Sequence, residues 1–280
     1  MPKIGLVADN ICSLPEKIIN EYKIEIVNTK LSFPEAERFP EKNFYQLMKK
    51  NKAAPKTSAP SPGDYLKAYK KSLESFDEIL VISLSSKLSV TYNVALQAKK
   101  LMSEPSRISV FDSLSAVAVE GLLTEKAGEL IQQGKKLNEI LESLTSLRKK
   151  SKLFGFLETT YWVEKIGRMN HWQATIFKIL KSFGAQPYIG LKKGKVDLTG
   201  FNFWTRDTFK ALFNQIKHEA KKTKIQVAIN YTDNFHLAHA LKEKVENDLN
   251  LEVKFISLVP PIVGANSGPG TLIAGCLPTI

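Results

Sequence analysis

The sequence predicts an α/β protein in two parts: a mostly parallel sheet domain over residues 1–150 and an α+β domain over residues 151–280. Three observations carry this. Between residues 3 and 133 one unit recurs three or four times: an apolar strand, a turn rich in Asp, Ser and Thr, then a helix. From about residue 151 the strands become short and hairpin-like. The 280-residue chain is 43% hydrophobic, enough to bury more than one core.

Lys3 to Ala8 reads as a first buried strand, and Asp9 to Pro15 as a turn that starts a short helix at Pro15-Glu16. Asp9 then stands at the carboxyl end of a strand, the edge at which open α/β sheets bind ligands. It also suits a turn cap through its own side chain. A second strand spans Ile24 to Leu31. An irregular passage follows around Phe33-Pro34 and Phe39-Pro40, then a helix from about Asn43 to Lys50.

Pro55 to Asp64 interleaves prolines with hydroxyls, which makes a stiff polar loop able to hold Thr57 and Ser58 in one geometry. Ser61-Pro62 with Asp64 forms a helix start, and Tyr65 to Leu73 has helix period.

The apolar run Ile79 to Ile82 leads into Ser85-Ser86-Lys87-Leu88-Ser89-Val90-Thr91-Tyr92 and a helix from Val94 to Met102. A helix N-terminus at a sheet edge favours an anion, and Ser85, Ser86, Ser89 and Thr91 add neutral donors. Helix capping by Ser85 or Ser86 explains the same residues. Arg107 to Phe111 is a further strand, ending in Asp112-Ser113, and helices follow at Ala116 to Gln133 and Leu137 to Lys149.

In the second part, Lys152 to Leu157, Gln186 to Leu191, Lys195 to Leu198 and Ile225 to Ile229 read as strands, with Lys193-Gly194 as a hairpin turn. Helices are expected at Tyr161 to Lys165, Thr175 to Ser182, Thr205 to Lys221 and Phe235 to Asn250. Pro260 to Gly270 holds three glycines and three prolines and reads as a tight turn. Its backbone, with Asn266 and Ser267, can approach a ligand closely. The spacing is neither a dinucleotide fingerprint nor a nucleophile elbow.

The net charge of +12 invites a nucleic-acid reading. Yet only Arg38, Arg107, Arg148, Arg168 and Arg206 among the 40 basic residues are arginine, and no recognition motif accompanies the lysines. A solvated lysine surface is expected, with no nucleic-acid partner. Cys12 and Cys276 make no metal or redox spacing, the four histidines make no metal set, and no cofactor is implied. No apolar run is long enough for a membrane span, and the chain reads as cytoplasmic.

These segments resemble the DegV family of bacterial fatty-acid-binding proteins. The likeness rests on Asp9 to Pro15, the Thr57-Ser58-x-Pro60-Ser61-Pro62-Gly63-Asp64 loop, and Ser85-Ser86-x-Leu88-Ser89-x-Thr91-Tyr92. It continues through Val110-x-Asp112-Ser113, Gly167-Arg168 and Gly264 to Gly270, all in the family's order. The resemblance implies a long-chain fatty acid held between or within two α/β domains. Its carboxylate would meet Thr57 and Ser89, beside Ser58, Asn266 and Ser267, with Arg168 near the head group or a partner surface; a structural salt bridge explains Arg168 equally well. It also implies a carrier, not an enzyme, that presents the acid to a separate, dihydroxyacetone-kinase-like fatty acid kinase for phospholipid synthesis. Val90 and Ile166 stand where the family has glycine, Asn266 where it has histidine, and Asn10, Ile11 and Ser13 depart from its usual residues.

Two other classes remain open on the residues alone. One is an enzyme of small phosphorylated or acidic substrates that uses Asp9, Asp112 and the helix-start serines. The other is a basic nucleic-acid-binding protein.

Overall fold

A computed structural model describes residues 2–33, 44–51, 55–203, 205 and 207–279. Strands β1 (Ile4–Asp9), β2 (Glu25–Val27), β5 (Glu78–Ser83) and β6 (Ile108–Asp112) form one sheet in the order β2-β1-β5-β6, every pair parallel. Leu6 lies opposite Leu80 and Val81 opposite Val110. Near-continuous apolar strands require cover on both faces. Helices α3 (Pro62–Leu73) and α4 (Thr91–Lys100) cover one face through Tyr65, Tyr69, Ala95 and Ala98. Helix α5 (Val117–Gln132), backed by α6 (Leu137–Lys150), covers the other.

The second sheet has the order β11-β10-β12-β7-β8-β9. It is built from β7 (Lys152–Phe156), β8 (Gln186–Lys192), β9 (Lys195–Asn202), β10 (Ile225–Tyr231), β11 (Val253–Leu258) and β12 (Leu272–Pro278). Only β10 and β11 pair in parallel. Its outer face packs on α9 (Thr208–Ala220) and α10 (Phe235–Leu249). The inner face meets α5, so one apolar cluster runs from Leu80 and Ile82 through Leu122 and Leu123 to Phe255 and Ile273. Two glycines permit that approach. A Cβ on Gly275 of β12 would stand 2.9 Å from Ala118, and one on Gly121 of α5 would stand 2.7 Å from Phe255. Among the described residues no helix is long and apolar enough to cross a membrane.

The α/β class and the alternation of the first half match the structure, which corrects several elements. The single strand expected at Ile24 to Leu31 is two, β2 and β3 (Lys30–Ser32), because Asn10 Oδ1 accepts from Thr29 N at 3.1 Å and Thr29 Oγ1 at 2.7 Å and turns the chain. The expected Pro55 loop contains a short strand, β4 (Lys56–Ser58), paired antiparallel with β3. Its continuation is as expected: Ser61 caps α3 in a capping box, with Pro62 in the first turn.

Neither Ser85 nor Ser86 caps α4. The N-cap is Val90, and Ser85 Oγ instead donates to Gly194 O at 2.8 Å. Pro260 to Gly270 is not simply a turn, since Pro261–Ser267 form helix α11, stopped by Gly268 at φ 85°. Helix α8 (His171–Ser182) starts four residues earlier than expected, because Asn170 and Gln173 form a capping box. Strands β11 and β12 were not expected at all. The Lys193-Gly194 hairpin is present, with φ 50° and 80°. Helix α2 (Phe44–Asn51) lies near its expected place. The Pro34 and Phe39-Pro40 passage, Asn43, Arg38 and Arg206 lie outside the described residues.

Candidate functional site

A cavity of about 430 Å3 lies where the two sheets meet across the N-terminal end of α5. Four places along the chain build its polar side. Strand β4 supplies Thr57 and Ser58, the turn before α4 and its first residue supply Ser89 and Thr91, and α11 supplies Asn266 and Ser267. Arg168, just beyond helix α7 (Tyr161–Lys165), completes it. All six candidate site residues (Thr57, Ser58, Ser89, Arg168, Asn266 and Ser267) therefore stand on one wall system, although the chain separates them by up to 210 positions.

Apart from Thr29, the rest of the wall is apolar: Ile11, Leu84 and Val117 from the parallel-sheet side; Leu153, Ile189 and Leu191 from the second sheet; and Val163, Ile166, Ile262 and Val263 from α7, its C-terminal end and α11. None of this wall was assigned from the sequence. Phe154, Phe156 and Phe177 fill packed cores, while Ile176 and Ile179 are exposed. Apolar side chains lining a cavity look the same in sequence as those filling a core.

The local bonding decides which hydroxyls face the cavity. Ser89 Oγ lies 2.9 Å from Thr91 Oγ1 and accepts from Thr91 N at 3.3 Å. Ser85 is turned away toward Gly194, and Ser86 N is held by Asp112 Oδ1 at 3.2 Å. Of the four hydroxyls at the α4 entrance, only Ser89 and Thr91 line the cavity. Ser267 Oγ is buried with no hydrogen-bond partner among the described residues. A buried hydroxyl left this way is costly unless something else satisfies it.

Arg168 is half-buried, burial lowers its pKa, and it has no acidic partner among the described residues. Val117 holds a β-branched side chain at φ 43°, a strained backbone position, and points to the cavity wall.

The carboxylates considered for catalysis do other work. Asp9 Oδ1 accepts from Ile11 N at 3.1 Å, and Oδ2 accepts from Leu84 N at 2.9 Å and Ser83 Oγ at 3.3 Å. It is fully buried, and burial pushes its pKa up to about 6. Beside it the buried Glu120 carboxyl is raised by burial and by the Asp9 charge. Asp112 Oδ1 also accepts from Leu114 N at 2.9 Å. Neither Asp9 nor Asp112 lines the cavity. Among the described residues no group of three or more His, Cys, Asp or Glu side chains could hold a metal ion. The arrangement provides neutral donors and one cation around an apolar hollow, a setting for an anionic head on an aliphatic body.

Comparison with known proteins places the same length of chain in one family. Residues 3–278 match the profile of the DegV family, described as uncharacterised proteins. A DegV domain-containing protein of Staphylococcus aureus is 25% identical over 283 residues, covering 98% of this chain and 96% of that one. A fatty acid-binding protein of Thermotoga maritima is 26% identical over 281 residues, covering 96% of both. The solved structure of a DegV family protein from Thermus thermophilus, described by its fatty acid binding, superposes with TM-score 0.86 at 25% identity. It covers 99% of this chain and 100% of that one.

Proposed function

We propose, because this chain belongs to the DegV family, that it binds a long-chain fatty acid and presents it to a separate fatty acid kinase. In this reading the carboxylate is held by Thr57 and Ser89, with Ser58, Asn266 and Ser267 beside them, and the tail runs into the apolar part of the cavity. Arg168 serves the head group or the partner surface. The chain acts as a cytoplasmic carrier in phospholipid metabolism, while the dihydroxyacetone-kinase-like partner makes the acyl phosphate. In the same reading, residues 1–150 and 151–280 are two domains that contribute opposite walls.

The observation that supports this most is the composition of a single cavity: hydroxyls from β4, the α4 entrance and α11 on one side, and aliphatic side chains on the rest. Burying a methylene contributes about 0.8 kcal/mol, so a tail of about sixteen carbons offers on the order of 10 kcal/mol before ordering costs. A hydrogen bond to a charged head contributes about 1.5–3 kcal/mol. The tail thus sets affinity and the hydroxyls set register. Neutral donors leave carboxylate lone pairs free for an outside phosphoryl donor.

Denaturing mass spectrometry of lipid extracted from the purified protein tests the reading. Fatty acid at about one per chain is expected. Protein that carries no fatty acid, and takes none up when it is offered, refutes it.

A further inference from the structure

Thr29, partly buried at the bend between β2 and β3, is a further polar side chain on the cavity wall. Two hydrogen bonds fix what it can offer. Its backbone N–H donates to Asn10 Oδ1 at 3.1 Å, which identifies that atom as the amide oxygen, because an N–H needs an acceptor. The Thr29 hydroxyl lies 2.7 Å from the same oxygen and must therefore be the donor. Its single hydrogen is committed inside the protein, and Thr29 has no other hydrogen bond among the described residues. Only the lone pairs of Oγ1 remain, so Thr29 can accept from a ligand but cannot donate to it.

The hydroxyls opposite differ in this respect. Thr57 and Ser58 have no side-chain hydrogen bond among the described residues and are able to donate, as is the unpartnered Ser267. A carboxylate only accepts, so it suits those hydroxyls and is repelled by the Thr29 oxygen.

The pairing of β3 with β4 places that oxygen. Leu31 lies opposite Thr57 and Lys30 opposite Ser58. Continued by one residue, the register sets Thr29 beside Ala59, which also lines the cavity. Ala59 is two residues of extended chain, about 7 Å, from Thr57. A carboxylate held by Thr57 therefore has the Thr29 oxygen alongside its first few carbons, not at the far end of its chain. The side chains of Ile11 and Ala59, which flank this part of the wall, carry no donor. A methylene lying here would displace water from the Thr29 oxygen and give nothing back, whereas a hydroxyl would replace that water.

We infer that Thr29 is a specificity residue that accepts a hydrogen bond from a ligand hydroxyl, so that the cavity prefers long-chain fatty acids hydroxylated on the second or third carbon over unsubstituted ones. This rests on the fatty-acid reading of the cavity and narrows the ligand within it. Thr57 and Ser89 serve the carboxylate, and Thr29 reads the carbon chain next to it.

Calorimetric titration of the full chain with hexadecanoate, 2-hydroxyhexadecanoate, 3-hydroxyhexadecanoate and 16-hydroxyhexadecanoate tests the inference. At least one of the 2- and 3-hydroxy acids is expected to bind about fivefold tighter than hexadecanoate, the value of one neutral hydrogen bond. The 16-hydroxy acid should gain nothing. Thr29→Val keeps the shape and removes the acceptor, so the ratio of the two affinities should fall to one or below. Thr29→Ser keeps the hydroxyl and should keep the preference, and it decides the matter with the wild-type series if Thr29→Val does not fold. Binding of both near-head hydroxy acids no tighter than that of hexadecanoate overturns the assignment. So does a preference that survives in Thr29→Val, is lost in Thr29→Ser, or is shared by the 16-hydroxy acid. A protein that binds none of the four acids refutes the fatty-acid reading itself, whereas one that binds all four equally refutes the role of Thr29 alone.

Discussion

Ser85 donates its hydroxyl hydrogen to the carbonyl of Gly194 at 2.8 Å, joining the turn after β5 to the tip of the β8–β9 hairpin across 109 residues. The same oxygen accepts from Lys87 N at 3.2 Å. This clasp ties the turn that carries Leu88 and Ser89 to the hairpin that carries Leu191 and Val196, and all four line the cavity. Gly194 is required there, because a Cβ would stand 2.5 Å from Ser85 Oγ and its φ is 80°.

Ser85→Ala removes the clasp and leaves a buried carbonyl and an amide unpaired. The expected cost is about 1–3 kcal/mol of stability, read as a lower urea midpoint with an unchanged slope. Hydrogen exchange at the hairpin should quicken more than at β10. An unaltered exchange rate there would show that the hairpin is held by other contacts.

The buried acids Asp9 and Glu120 set a pH dependence. Both prefer the neutral form in the folded protein, so their burial is tolerated at low pH. Stability is lost as pH rises from the ordinary carboxylate range, 3.8 for Asp9, through about 6 and beyond. Glu120→Gln keeps the shape and needs no proton. It should stabilise the protein by about 1–3 kcal/mol at pH 7, with the gain vanishing near pH 4. Thermal unfolding of both proteins across that range checks it, and a gain that grows toward acid pH would reverse the sign and reject the account.

Gly275 governs how closely β12 sits under α5, since a Cβ there would meet Ala118 at 2.9 Å. Gly275→Ala is expected to cost about 1–3 kcal/mol by overpacking. Because Ala116 and Val117 line the cavity at the start of α5, ligand affinity should fall with stability. Calorimetry of both quantities in the same variant measures the coupling.

Head and tail contribute differently. Thr57→Val should weaken fatty acid binding by about tenfold, the worth of one hydrogen bond to a charged group. Val263→Trp, which projects a large ring into the apolar wall, should weaken it by far more while the urea midpoint changes little. Equal effects from the two would show that the tail does not occupy the cavity.

The parallel half of the fold, and the hydroxyls that line one side of the cavity, were legible in the sequence for physical reasons. The strands β1, β5 and β6 are continuous apolar runs followed by turn residues, a local signal. Thr57, Ser89 and Ser267 stand in turns and short elements whose hydroxyls and prolines are conspicuous against their surroundings. Strand β12 was missed because Ile273, Ala274, Gly275 and Cys276 follow directly on a proline- and glycine-rich stretch, and Gly275 weakens any strand pattern until Ala118 is seen against it. Helix α11 was missed because Gly264 is a poor helix residue inside a short glycine- and proline-rich stretch. Its conformation comes from packing on α2, where a Cβ on Gly264 would strike Tyr45. The Ser85 clasp depends on a hairpin 109 residues away, which no local pattern contains.

The most direct test is a crystal structure of the protein with hexadecanoate bound. Density for a carboxylate is expected within hydrogen-bonding distance of Thr57 Oγ1 and Ser89 Oγ, with the tail running past Val117, Ile189 and Val263. A chain bound in the opposite direction, a carboxylate remote from those hydroxyls, or a cavity that stays empty beside saturating ligand would contradict it.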